Sequence, residues 1–275
     1  MPYHLATTPC LFGASNVPSS AASVEAQDGV TGWAFWAILW PMLILAHRGF
    51  RVPGISENTV PAFQSAIENG ADGVEFDLRL SKDDELVVVH DANLHRIAGD
   101  AHKIVELTAD ELSEITLRHG GTIPTLNDVT AQVHEPALLD MEVKTLDVTE
   151  DLIAKLKTST GLRDRTIVSS FHAPILARVK TEVPDVRTLL LVARWPLPLR
   201  GSRFLRKIER LAPWGIAFRL PLLTHRRIRK LRDLGYKIGA WDNRGTRAEA
   251  RRAVRMGLDF AILSRMPSGF SWKEK

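Results

Sequence analysis

The chain has 275 residues, 45% hydrophobic and 25% charged, with 18 glycines and 15 prolines, ordinary proportions for one large α/β domain or two small ones. These values exclude collagen, a long coiled coil and wholesale disorder, and a single cysteine, Cys10, excludes an internal disulfide framework or a cysteine-rich metal site. The formal net charge of +4 conceals a split: residues 1–190 carry 15 basic and 26 acidic side chains (−11), residues 191–256 carry 18 and 4 (+14), and the last 19 residues add +1.

The first 47 residues contain no Lys or Arg, and residues 11–28 are small and polar, as in a flexible leader. An uncharged run of 18 residues follows from Gly29 to Ala46, at the lower limit for a membrane span. Pro41 interrupts it, and MLILAH (42–47) has the pattern of a buried strand, which leaves too few residues to cross a bilayer. The absence of a basic n-region speaks against a signal peptide. Residues 1–42 therefore read as a leader or as a segment packed on the domain. An interfacial contact through Trp33, Trp36 and Trp40, or a cleaved or spanning segment, is the alternative. The expected location is the cytoplasm, with peripheral membrane association as a further reading.

From residue 43 onward, apolar runs suited to buried strands recur at 43–47, 72–78, 86–90, 137–143, 166–170, 187–193, 215–219, 236–241 and 259–263. Amphipathic stretches lie between most of them, at 59–69, 148–159, 172–182, 223–234 and 246–256. Gly70, Gly235 and Gly257 stand where a left-handed residue closes a helix. About eight strand–helix units fit a closed (β/α)8 TIM barrel better than an open sheet. The segment 72–90 reads as a strand continued by a hairpin through KDDE. Residues 92–122 lack a clear strand and read as a small insertion after the second strand region. It would hold a short helix near 108–115, opened by a Thr108–Glu111 capping box. The whole of 43–275 reads as one domain.

In such a barrel the chemistry belongs at the C-terminal ends of the strands. The first strand ends in His47-Arg48-Gly49. The second holds Glu75 and Asp77, two apart and therefore on one face, pointing inward. His90-Asp91 ends the return strand, and Glu142 and Lys144 form a further same-face pair. Buried carboxylates without compensation are costly, and a bound cation is the usual remedy. Glu75, Asp77 and Glu142 make a hard oxygen site, suited to one divalent cation, Mg2+ or Ca2+. His47 and His90 are the candidate acid/base pair for phosphodiester cleavage, and Arg48 and Lys144 the candidate phosphate contacts. The bland reading pairs Glu75 and Asp77 with Arg79 and Lys144, and Arg48 with Glu57.

The ordered set AHRGF (46–50), SENTVPAF (56–63), GADGVEFDLRLSKDDELVVVHD (70–91), LHR (94–96), IPTLNDV (123–129), LLDMEVK (138–144), SSFH (169–172) and GLDFAILSRMP (257–267) resembles the glycerophosphodiester phosphodiesterase family. The resemblance implies a TIM barrel, His47 and His90 as the catalytic pair, and Glu75, Asp77 and Glu142 as metal ligands. It further implies Arg48 and Lys144 as phosphate contacts, with Glu57 as an acid supporting the metal site. The implied reaction yields glycerol 3-phosphate and an alcohol from small glycerophosphodiesters. Some members act instead as lysophospholipase D-type enzymes on lysophospholipids at a membrane.

This chain departs from the family pattern at Ser56, usually Pro, and at Ile97 and Ala98, usually threonines. It departs again at Trp241-Asp242-Asn243, one residue shorter than the common W-T-V-N, with Asp242 adding a negative group near the pocket. Phe50, Phe171, Phe218 and Trp241, at or just after strand ends, are candidates for an apolar substrate pocket. The basic block offers contact with an anionic membrane or a solvated outer face, since its cations spread around the 223–234 helix. No recognition-helix, finger or aromatic-interleaved groove signature points to nucleic acid. A non-catalytic phosphate- or lipid-binding barrel is the remaining alternative, and the oligomeric state is not legible.

Overall fold

Short runs rich in Leu, Ile and Val form the strands. They are β1 (Leu43–His47), β2 (Gly73–Leu80), β3 (Leu86–Val88), β4 (Leu138–Val143), β5 (Thr166–Ser170), β6 (Arg187–Val192), β7 (Gly215–Arg219), β8 (Lys237–Trp241) and β9 (Phe260–Leu263). The structure is a computed structural model that describes residues 42–50, 53–195, 203–242 and 245–266; the expectations for residues 1–41 lie outside them. Eight strands pair in parallel in the order β1–β2–β4–β5–β6–β7–β8–β9, and β9 returns to β1, closing a (β/α)8 barrel. β3 runs antiparallel to β2, Leu78 facing Val88, as the KDDE hairpin demands.

The helices that cover the barrel are α1 (Val60–Glu68), α2 (Ala109–Ser113), α3 (Leu126–Gln132), α4 (Leu146–Thr158), α5 (Thr160–Arg165), α6 (Ala173–Glu182), α7 (Arg203–Leu211), α8 (His225–Arg232) and α9 (Arg247–Arg255). Gly70, Gly235 and Gly257 all take positive φ just past helix ends, the conformation glycine adopts without a Cβ penalty.

Period-two alternation separates two apolar layers. Leu45, Ile167, Leu189, Leu191, Ala217, Phe260 and Ile262 fill the barrel interior. Their strand neighbours, among them Val74, Phe76, Ile216, Phe218 and Ile238, pack outward against the helices. Phe260 fills the barrel only because Gly239 stands opposite, where an added Cβ would come within 2.1 Å of its ring. Residues 89–123 close one side of the mouth with a small core of their own, built on Val89, Leu94, Ile104, Leu112, Leu117 and Ile123. Within it the Thr108–Glu111 capping box opens α2, with Glu111 N–H donating to Thr108 Oγ1 at 3.2 Å.

Candidate active site

The inward parity of β2 and β4 brings Glu75, Asp77 and Glu142 together at the C-terminal mouth. Each offers one carboxylate oxygen, and the three atoms lie within 4.8 Å of one another. Asp77 faces Glu142 in register across the β2–β4 pair. All three are buried, and a cluster of hard, buried oxygens fits a divalent cation by charge and donor type. Burial raises the Glu75 pKa well above its ordinary value, and the charges of Asp77, Glu142 and Asp140 add to the rise. Burial and Asp77 push Glu142 up to about 7, partly offset by Lys144. Asp77 behaves oppositely: burial would raise it, but Arg48 and Lys144 outweigh burial and hold it well below the usual carboxylate range.

The two cations stand close to these acids. Lys144 Nζ donates to Asp77 Oδ1 at 2.6 Å and lies 3.7 Å from Glu142 Oε1. Arg48 Nη1 donates to Glu57 Oε1 at 3.0 Å, while its Nε sits 3.0 Å from Asp77 Oδ2 at an angle too poor for a hydrogen bond. Arg48 takes a left-handed φ of 56°, and its N–H donates to Glu75 Oε2 at 3.1 Å. The following Gly49 is obligatory, since a Cβ there would come within 2.6 Å of Ala62. The turn is therefore held from both sides, a frequent property of functional loops.

His47 ends β1 on the inner face, with Nε2 4.0 Å from Glu75 Oε2. Its Nδ1 lies 2.9 Å from Ser264 Oγ, and that hydroxyl donates to Asp242 Oδ1 at 2.7 Å. His90 Nδ1 lies 2.6 Å from Asp91 Oδ1. Burial lowers the His90 pKa, and Arg48 and Lys144 reinforce this against the opposing charge of Asp77. An alternating chain of charges then links the two halves of the site: Arg96 Nε donates to Asp91 at 2.5 Å, Arg96 Nη2 to Glu57 at 2.7 Å, and Glu57 accepts from Arg48.

Each sequence-predicted residue now has a place. His47, His90, Arg48, Lys144, Glu75, Asp77 and Glu142 converge on one mouth. Glu57 lies outside the three-carboxylate cluster and bridges Arg48 and Arg96, which hold its pKa down against burial. Arg79 does not pair with the acids: its guanidinium donates to the His90 carbonyl at 2.6 and 2.9 Å. Phe171 and Trp241 line the mouth edge-to-face, 5.8 Å between centroids.

The other two aromatic expectations are corrected. Phe218 is fully buried on the outward face of β7, stacked at 5.2 Å on Trp195 and facing Phe204 of α7. Phe50 is buried in the same barrel–helix layer. Asp242, expected as a negative group near the pocket, is buried beside it: its Oδ1 lies 3.9 Å from His47 Nδ1, and it accepts from the Ser264 N–H at 3.0 Å and from its hydroxyl.

Several contributors carry no readable signal in the sequence. Ser264 reaches His47 across 217 residues. Asn58 Nδ2 donates to Asp77 Oδ2 at 3.0 Å, and Thr59 caps α1, so the ENT run both orients an acid and starts a helix. Asp140, two residues below Glu142, is fully buried. No hydrogen bond of normal geometry reaches its oxygens, and burial raises its pKa to about 8 despite the nearby Ser169 hydroxyl.

Three buried carboxylates, two histidines and two cations at a (β/α)8 mouth define a hydrolase equipped for phosphate esters. The sequence model of the glycerophosphoryl diester phosphodiesterase family matches residues 47–266, and the chain belongs to that family, which makes it a phosphodiesterase by class. It is 32% identical over 180 residues to a glycerophosphodiester phosphodiesterase of Caldanaerobacter subterraneus subsp. tengcongensis, covering 59% of this chain and 73% of the relative. A glycerophosphodiester phosphodiesterase structure from Thermotoga maritima superposes with a TM-score of 0.68 at 29% identity, covering 82% of this chain and 96% of that one. An Oleispira antarctica phosphodiesterase, solved in complex with the product sn-glycerol-3-phosphate, shares the fold with a TM-score of 0.70 at 24% identity, over 83% and 95% of the two chains.

Proposed function

We propose that this chain hydrolyses glycerophosphodiesters to glycerol 3-phosphate and an alcohol with the help of one divalent cation, Mg2+ or Ca2+. The observation that carries the reading is the buried Glu75–Asp77–Glu142 cluster at the barrel mouth, beside His47 at the end of β1 and His90 two residues past β3. The product bound by the Oleispira neighbour supports the substrate class.

Glu75, Asp77 and Glu142 would hold the cation, whose charge would neutralise a phosphoryl oxygen. Arg48 and Lys144, both already oriented by Asp77, take up the remaining negative charge of the diester. One imidazole of the His47–His90 pair accepts a proton from the attacking water as its oxygen bonds to phosphorus. The other donates a proton to the departing alkoxide as its P–O bond breaks. If the neighbouring glycerol OH attacks first, water opens the resulting cyclic phosphate in a second step with the same pair. Ser264 fixes the ring of His47 and Asp91 that of His90, so each presents its Nε2 to the mouth. Glu57 keeps Arg48 in place as a support to the metal site. Phe171 and Trp241 form the apolar side of the substrate pocket.

A lysophospholipase D-type reaction at a membrane is the second reading. The observation favouring it is the set of exposed cations on α7, α8 and α9, which suits an anionic surface. No helix among the described residues is long and apolar enough to cross a membrane. A product assay separates the readings. Glycerophosphocholine should yield glycerol 3-phosphate, stop on chelation and resume on adding Mg2+ or Ca2+. Release of lysophosphatidic acid from lysophosphatidylcholine as the sole reaction would transfer the assignment to the second reading.

A further inference from the structure

Three strands lie between β7 and β2 in either direction around the barrel, so the two face each other across the mouth. Gly215 and Ala217 of β7 face the barrel interior, and Ile216 and Phe218 face the helices. The alternation places Arg219, the last residue of β7, on the inner face at the catalytic end. Its register partner on β8 is Trp241, whose own strand alternates the same way through the inward Gly239. These two neighbours share an unusual property. Arg219 Nε and Trp241 Nε1 are both buried N–H donors, and neither finds an acceptor among the described residues.

Buried donors in folded proteins are nearly always satisfied, and one that is not points to a partner outside the chain. Two together, one of them on a permanent cation, call for an oxyanion. Arg219, on the strand that faces β2, stands across the mouth from Asp77 and the two cations that hold it, a place that suits the part of the substrate beyond the phosphorus. We infer that Arg219 and Trp241 form a subsite for an anionic headgroup, so that the preferred diester carries a phosphate or carboxylate on its alcohol half. The inference rests on the barrel mouth being the active site, as proposed above. It also reverses the simplest reading of Phe171 and Trp241. Two aromatic rings alone would suit a quaternary ammonium, but Arg219 beside them repels one.

The test compares kcat/KM for glycerophosphoinositol 4-phosphate with that for glycerophosphocholine. Wild-type protein should favour the anionic substrate. Arg219→Met should lower the ratio about ten- to a hundred-fold, the loss of charge-assisted hydrogen bonds. Arg219→Lys should restore most of the ratio, and Trp241→Phe, which keeps a ring and removes one donor, should lower it about two- to ten-fold. Circular dichroism and thermal midpoints confirm that each variant folds.

A wild-type preference for the choline diester, or an Arg219→Met variant with an unchanged ratio, overturns the subsite. Should wild-type protein turn over neither substrate, the functional reading fails on its own. Calorimetry with inositol 4-phosphate alone then decides the subsite, which stands if wild-type protein binds it and Arg219→Met does not. It falls if both bind alike or neither binds.

Discussion

The barrel has an acidic wall and a basic wall, and they treat charge in opposite ways. At the mouth beside β1, β2 and β4 charges pair with opposite ones: Lys144 and Arg48 on Asp77, Arg96 on Asp91 and Glu57. The helices outside that wall behave alike, with Arg178 bonded to both Glu150 and Glu182 and Lys157 to Glu182. On the other side, exposed Arg226, Arg229 and Lys230 of α8 and Arg247, Arg251 and Arg255 of α9 have no salt bridge among the described residues. Inside the barrel the same contrast separates Arg48, paired with Glu57 through Nη1, from Arg219, which has no salt bridge among the described residues. Arg232 of α8, bonded to Asp259, is an exception. Local pairing of charge at the first wall orders a reaction centre; the unbridged cations of the second leave charge available to something outside the chain.

The largest expected effect comes from breaking the acidic wall at its proton carriers. His47→Ala and His90→Ala should each lower diester turnover by roughly 10²–10⁴-fold while circular dichroism stays native. Turnover near the wild-type rate in either variant refutes the acid/base pair.

A second prediction concerns pH and the cation. Glu142 has an ordinary pKa of 4.5 and a folded value of about 7, raised by burial and then by Asp77. Being raised, it contributes stability to the metal-free protein that is complete below its unfolded pKa and lost as pH climbs through about 7. A cation needs the deprotonated carboxylates and relieves their repulsion. The rise in thermal midpoint on adding Mg2+ or Ca2+ should therefore be larger at pH 8 than at pH 6. Equal rises at both values would place the ion elsewhere.

The smallest effect on chemistry belongs to the basic wall. Replacing Arg226, Arg229 and Lys230 by Glu should change kcat/KM on a soluble diester less than about three-fold, as exposed charges interact weakly with a distant site. Co-sedimentation with vesicles containing phosphatidylserine at low ionic strength should fall sharply. If wild-type protein fails to bind such vesicles at low salt, the membrane reading ends there.

Much of this was legible in the sequence because strand order and parity are local properties. Glu75 and Asp77 sit two apart on a strand, so their shared face follows from the pleat, and β5 and β7 match the apolar runs at 166–170 and 215–219. The failures have one origin. Phe218 lies near a strand end, as a pocket residue would, yet nearness to the end does not give the face; the small inward Gly215 and Ala217 do. Arg219, one residue further and of the opposite parity, is one of 18 basic residues in the 191–256 block, and nothing local singles it out. The links from Ser264 to His47 and from Arg96 to Glu57 span 217 and 39 residues, and only the closed barrel brings them together. The acceptor role of Asp242 towards Ser264 is likewise tertiary.

The central claim, that the acidic wall holds the ion on which hydrolysis depends, is tested most directly by measuring bound metal and turnover on the same samples. Calorimetric titration with Mg2+ or Ca2+ should find one ion per wild-type chain. Glu75→Gln and Glu142→Gln should lose that ion and glycerol 3-phosphate production together. Undiminished hydrolysis in a variant that no longer binds the metal would contradict the account.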